Sequence, residues 1–310
     1  MTLSSSTSVA RAETSPRLSR SQIGWIAMGI TVLIWAGFSV SLRAISHSTL
    51  SSADVALIRF LVPAIALLPF IRARFAALKA MRPLHALMIA TGAGLPFFLI
   101  AAAGGRLTSA AHVSVLVAGT VPLSVALLAL VCWREPIQSA RRLGLLVIIA
   151  GVLLMVAGLG AMQLPMLQGV ALLLIASLLW GMYTLALRKT TIDPVGTLML
   201  ITYPAVCSIA ILMATGAMES HLAQASFNDI GWFVLVQGIC VGILSPLAYA
   251  AAIRCLGSVR SSTVGALAPV IAALIAIPVL HEIPTLLSVA GILAVTTGVV
   301  LTNRNAKRGT

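Results

Sequence analysis

Charge is what this sequence has least of. Only 9% of its 310 residues are charged and 60% are hydrophobic, against about 25% charged residues in a soluble globular chain. A water-soluble domain has no means of hiding so much apolar surface, so a bilayer must act as solvent. Acids are the scarcest: Glu13, Asp54, Glu135, Asp193, Glu219, Asp229 and Glu282 are all of them. None falls in the interior of an apolar run, which disfavours a proton relay through a buried carboxylate. The five histidines are scattered along the chain. With so few acids they form no group with acid–base or metal-ligand spacing, so no catalytic residue, metal site or cofactor is expected. Cys132, Cys207, Cys240 and Cys255 include no close pair. Three of them sit within apolar runs, where cysteine behaves as a small hydrophobe, and a disulfide framework is not expected. Strand-like alternation is missing, which argues against a β-barrel. No Walker loop is present, so the chain does not hydrolyse ATP itself.

What the chain does have is a succession of apolar runs near the roughly 20 residues that a membrane-spanning helix needs. They predict ten helices, over 23–42, 53–71, 84–103, 109–133, 143–159, 169–187, 195–214, 230–253, 261–280 and 286–301, with no room between them for a soluble domain. The expected fold class is all-α and integral to the membrane. The first run has a counterpart later in the chain and reads as a retained helix rather than a cleaved signal. Residues 1–21 before it are Ser- and Arg-rich and read as a flexible cytoplasmic tail.

The formal net charge of +13 would suggest nucleic acid in a soluble protein. Here the cations sit in short segments between apolar runs, and nucleic acid is not an expected partner. With the N-terminus in the cytoplasm, Arg11, Arg17 and Arg20 are cytoplasmic, and so are Arg72, Arg74, Lys79 and Arg82. Arg134, Arg141, Arg142, Arg188, Lys189, Arg254, Arg260, Arg304, Lys307 and Arg308 follow on the same side, 17 cations in all. Only Arg43 and Arg106 lie outside, and Arg59 lies within the second helix. That asymmetry is the positive-inside rule, with both termini cytoplasmic. The expected location is the cell's inner (cytoplasmic) membrane, crossed many times.

The chain repeats itself. Residues 35–43 read WAGFSVSLR and residues 180–188 read WGMYTLALR, sharing Trp, Leu and Arg at an offset of 145. Further on, Pro122 pairs with Pro269, Glu135 with Glu282, Gly144 with Gly291 and Gly151 with Gly298, at an offset of 147. Each unit holds five helices, an odd number, so the second copy enters the membrane the other way round. Inverted repeats of this kind recur in secondary transporters, where two related halves rock about a site near the midplane.

This ordered set resembles the EamA-type family of the drug/metabolite transporter superfamily over about residues 22–302, nearly the whole chain. The carrying motifs are Trp35-Ala36-Gly37 and Trp180-Gly181, Arg59, Pro122 with Glu135, Pro269 with Glu282, and the glycine pairs Gly144/Gly151 and Gly291/Gly298. The seventh helix departs from the pattern, since it has no Arg matching Arg59. The resemblance implies two five-helix domains, placed at 22–160 and 166–303, with a cytoplasmic tail over 304–310. It also implies secondary transport, by export or uptake, of amino acids, nucleobases, vitamins or other small metabolites; alternating access of a small polar metabolite, an amino acid or related compound, with export as the direction, is the expected case. Expected partners are the substrate, the lipid bilayer, and protons or a counter-substrate, for a monomer or homodimer. The alternative is a membrane-embedded enzyme or receptor without transport activity.

Several residues could carry the transport chemistry. Arg59, about one and a half turns inside its helix, could bind a substrate carboxylate or phosphate. Alternatively it snorkels to the outer interface beside Asp54. His112, early in the fourth helix, could bind substrate or carry a proton, since imidazole changes charge near neutral pH; otherwise it hydrogen-bonds a neighbouring helix. Trp35, Trp180, Tyr183 and Tyr249 could line a cavity or pack helices. Gln237 and Ser245, with Thr120, Ser124, Thr202 and Ser262, could contribute polar groups to a site or glue helices together. Pro122 and Pro269 free the carbonyls of Ala118 and Gly265 and can kink their helices as gates or static bends. Glu135 and Glu282 occupy equivalent helix ends and could act as gate latches with an Arg or Lys, or stay solvated.

Overall fold

Hydropathy dictates helices here, because in lipid a backbone amide must be satisfied within its own segment. The computed structural model describes residues 19–158 and 164–305 and is helical almost throughout. Residues 1–18 of the expected tail, with Arg11 and Arg17, the end of the fifth run at Leu159, and Lys307 and Arg308 lie outside the described residues. Ten helices are long and apolar enough to cross a membrane: α1 Arg20–His47, α2 Ser52–Lys79, α3 Pro83–Leu107, α4 Ala110–Trp133, α5 Ser139–Ala157, α6 Leu164–Arg188, α7 Pro194–Ala214, α8 Phe227–Leu256, α9 Ser258–Leu280 and α10 Leu286–Arg304. Polar side chains cap the starts of five of them. Ser19 and Ser51 close capping boxes with Gln22 and Asp54, and Ser109, Asp193 and Ser226 accept from the amide three residues on.

Five of the ten are interrupted. α2 passes through a 3-10 turn over Leu68–Phe70 and resumes at Ile71. α3 breaks at Ala93-Gly94, between Pro83–Gly92 and Leu95–Leu107. α4 opens as a short turn, passes through a π-helical stretch over Ser114–Gly119 and resumes as an α-helix at Val121. α8 carries a π-helical stretch over Val234–Leu244 that ends just before Pro246. α9 breaks between Gly265 and Ala268. Pro122 and Pro269 each stand at the second position of the helix that follows the irregularity. Their missing N–H is tolerated there and their fixed φ favours a fresh helical start.

The two halves interlock. α1 packs against α8 and α9 of the second repeat, and α6 against α3 and α4 of the first; α5 and α10 make the most extensive pairing in the molecule. At their crossing a Cβ on Gly298 would lie 2.7 Å from the Gly144 carbonyl oxygen, and one on Gly151 would lie 2.9 Å from that of Gly291. The repeat exchanges Gly144 with Gly291 and Gly151 with Gly298, so these two contacts are one contact seen twice, around a pseudo-two-fold axis. Small residues of this kind let backbones approach closely where lipid supplies no hydrophobic drive between helices. Leu33, Ile65, Leu84, Leu153 and Leu293 stay exposed on the outside, where the acyl chains would lie.

Opposite ends of the bundle are conveniently named for the repeated arginine of α1 and α6. The Arg43 end gathers the end of α1, the junction of α3 with α4 and the junction of α9 with α10. The Arg188 end gathers the end of α6 and the junction of α4 with α5.

Candidate functional site

The site grows from one face of α1. Trp35, Phe38 and Ser41 recur every three residues and so lie on the same face of the helix. Each reaches a different neighbour. The Trp35 indole Nε1 donates to Ser245 Oγ on α8 at 2.9 Å, and its ring tilts against Tyr249 with centroids 5.0 Å apart. Phe38 stacks on Phe97 of α3 at 6.2 Å. Phe97 in turn meets Trp180 of α6 at 5.0 Å, and Trp180 meets Tyr183 edge-on at 5.3 Å. Ser41 Oγ accepts from Gln237 Nε2 at 2.6 Å.

Arg59 lies at the centre of this arrangement. It is 7% exposed, while Gln237 is wholly buried. Its Nη1 donates to Gln237 Oε1 at 2.7 Å. The rings of Phe38, Phe60 and Phe98 stand 5.0, 5.5 and 5.5 Å from its guanidinium carbon. Its Nε makes no hydrogen bond among the described residues. Both parts of the alternative reading of Arg59 are therefore overturned: it does not snorkel, and Asp54 is not its partner. Asp54 instead accepts from Ser51, from Ser220 Oγ at 2.6 Å and from the His221 amide at 2.9 Å, tying the start of α2 to the loop before α8. Among the described residues, no acid pairs with Arg59. Three aromatic faces and one amide oxygen stand in for a counter-ion, and cation–π attraction offsets only part of the desolvation of a buried cation.

The site thus comprises two sets of contacts between the halves on neighbouring turns of α1: Trp35 with Ser245 and Tyr249, and Arg59 and Gln237 linked through Phe38 and Phe97 to Trp180 and Tyr183. Thr120 and Ser124 do not join it; both hydrogen-bond Ser177 of α6, at 2.7 and 2.9 Å, and glue α4 to α6. Ser262 bonds back to the Val259 carbonyl of its own helix.

His112 stands apart, at the Arg43 end. Its Nδ1 shares a 2.7 Å hydrogen bond with Ser109 Oγ, and its Nε2 has no hydrogen-bond partner among the described residues. It lines a cavity of about 220 Å³ with Ser109, Met166, Glu282, Thr285 and Ser288. A second recess, of about 290 Å³, lies at the Arg188 end against Trp25, Arg260 and Arg304 and holds no candidate residue.

Glu282 and Glu135 part company. Glu282 Oε1 accepts from Arg43 Nε at 2.7 Å and its Oε2 from the Ala110 amide at 2.9 Å, while Arg43 Nη1 donates to the Arg106 carbonyl at 2.9 Å. One cluster therefore ties together α1, α3, α4 and α9. Glu135, its equivalent by the repeat, is exposed.

Sequence reasoning missed Phe38, Phe97, Phe98, Ser41 and Arg43. Ser41 and Phe38 carried a signal in their three-residue spacing from Trp35. Arg43 carried one in being the conserved end of the internal repeat, facing the acid that repeats.

In comparison with known proteins, residues 22–157 and 167–304 each match the profile of the family described as the EamA-like transporter family. No curated protein matches the sequence. A crystal structure described only as that of a protein superimposes with a TM-score of 0.62 at 16% identity, over 93% of this chain and 98% of the other. Likeness at that identity speaks for the fold alone.

Proposed function

The chain belongs to the EamA-like transporter family, and from that premise we propose that it is a secondary transporter of small polar metabolites bearing a carboxylate, an amino acid or related compound. The observation that carries the substrate class is Arg59. A guanidinium inside a membrane protein without a paired acid is costly, and such residues mark substrate pathways. A bound carboxylate supplies the missing charge and accepts from the guanidinium donors. The aromatic rings of Trp35, Phe97, Trp180, Tyr183 and Tyr249 supply an apolar face for the rest of the molecule.

The two repeats, over 22–160 and 166–303, would move against each other about this midplane site, bending at Pro122 and Pro269. The charge asymmetry supports placing the Arg188 end and both termini in the cytoplasm of a cytoplasmic-membrane protein. Latched at the Arg43 end, the conformation described here would load from the cytoplasm, which supports export. His112, buried beside the outer cavity, is the candidate for coupling to protons. Without it, transport would run by exchange or facilitated diffusion.

The test is counterflow in proteoliposomes with a panel of amino acids, each beside its carboxamide analogue. Saturable exchange of acids and none of their amides is the expected outcome. Equal exchange of both would remove Arg59 from substrate recognition. A pH gradient that accelerates the wild type but not His112→Ala would assign the coupling to His112.

A further inference from the structure

The ion pair at the Arg43 end has a counterpart by the repeat, and the counterpart is not made. Arg43 corresponds to Arg188 and Glu282 to Glu135. The likeness extends to the backbone. Arg134 and His281, the residues before the two glutamates, both adopt the left-handed conformation, with φ of 54° and 55°. The amides of Glu135 and Glu282 both reach back to the sixth residue before them, Ala129 and Ala276, at 3.1 and 3.3 Å. The two acids thus leave their helices by the same turn. Yet Arg43 and Glu282 are bonded and only 23% and 19% exposed, whereas Arg188 and Glu135 are both exposed and, among the described residues, neither forms an ion pair.

The unmade pair is nonetheless poised. Lys189, next to Arg188, places its Nζ 4.3 Å from the ring centre of Trp133, two residues before Glu135. The ends of α6 and α4 therefore already touch, with an opposite charge hanging from each.

We propose that Arg188 and Glu135 form the matching latch at the Arg188 end, closing it when the Arg43–Glu282 latch parts. An inverted repeat makes this an exchange between near-equivalent states: one ion pair is lost as its mirror image is gained. The net cost of the swap is therefore small, as a reversible transport cycle requires. In this view Arg43, Glu135, Arg188 and Glu282 position the two halves and need not touch substrate. The inference rests on the transport reading for its purpose but not for its test.

The test is spin-label distance measurement in liposomes, on the full chain with its native cysteines replaced by alanine. One label pair at Gln138→Cys and Thr191→Cys reports the Arg188 end, and another at His47→Cys and Ile283→Cys reports the Arg43 end. Arg43→Gln is expected to lengthen the second distance and to raise a shorter population of the first by about fivefold, the upper range for one partly exposed ion pair. Adding Glu135→Gln should abolish that shorter population, and the exchange Glu135→Arg with Arg188→Glu should restore it. If Arg43→Gln fails to fold, Glu282→Gln breaks the same latch. An unchanged distance at the Arg188 end overturns the proposal, as does shortening that persists with Glu135→Gln. Because no substrate is needed, failure of the carboxylate reading in counterflow leaves this outcome independent.

Discussion

At the scale of single residues, the unusual feature is a buried arginine that, among the described residues, hydrogen-bonds through its side chain to a neutral amide alone. Gln237 bridges Arg59 to Ser41, accepting from one and donating to the other. That geometry makes it the most sensitive reporter of the proposed anion subsite. Gln237→Glu puts a carboxylate where the amide oxygen now accepts, so the protein neutralises Arg59 with its own side chain. The expected outcome is loss of carboxylate binding by about tenfold or more, since hydrogen bonds to charged groups contribute about 1.5–3 kcal/mol. Thermal stability should be kept or raised. Titration of the purified variant by calorimetry, beside its melting temperature, checks both. Retained affinity would place the substrate elsewhere. The same scale separates Glu135 from Glu282. Their sequence contexts are alike, and only their neighbours across the bundle decide that one is bonded and the other solvated.

Among elements, the division of labour is between helices that hold and helices that bend. α5 and α10 are uninterrupted and meet through glycines. α4 and α9, which carry the repeated prolines, are broken near their middles, and they also carry Glu135 and Glu282 at their ends. The glycine crossing is therefore expected to be rigid. Gly298→Ala would bring a Cβ to 2.7 Å from the Gly144 carbonyl oxygen and 2.7 Å from Ile148 Cγ1. The expected loss is about 1–3 kcal/mol of stability. Gly37→Ala, whose new Cβ would meet nothing nearer than Val236 Cγ1 at 3.9 Å, should be close to neutral. Reversible unfolding in mixed micelles would compare the two. Equal stability of the variants would mean that α5 and α10 slide apart more easily than their packing implies.

For the molecule as a whole, the proposed orientation rests on the distribution of cations and is open to direct measurement. Ile283, at the Arg43 end, is 81% exposed, and Gln138 is exposed at the other end. In intact cells carrying the cysteine-free chain, a membrane-impermeant thiol reagent is expected to label Ile283→Cys directly. It should label Gln138→Cys only after the membrane is opened. The reverse pattern would invert the topology and make the latched end the cytoplasmic one.

Much of this architecture was written in one dimension. Ten spans, their order and the inverted repeat could all be read from apolar runs and from Trp, Pro, Glu and Gly recurring at nearly constant offset. Such patterns are legible because lipid imposes a local rule, that each segment satisfies its own backbone. The breaks in α3 and α8 were not legible, because nearby helices and prolines decide where a ladder of hydrogen bonds may lapse. Arg59 could be picked out as a costly cation, but not its surroundings. Whether it met Asp54, solvent or three phenyl rings depended on helices α1, α3 and α8 coming together, and Asp54 was taken instead by a loop more than 160 residues later. His112 and the residues around Arg59 and Trp35 were equally good candidates by type, and only packing put them in different places. The latch shows the same divide. Both ion pairs are equally possible in the sequence, and tertiary structure alone selects one. A charge pair is made or broken by the meeting of distant helix ends, and that choice belongs to the packing of the two halves rather than to either half's sequence.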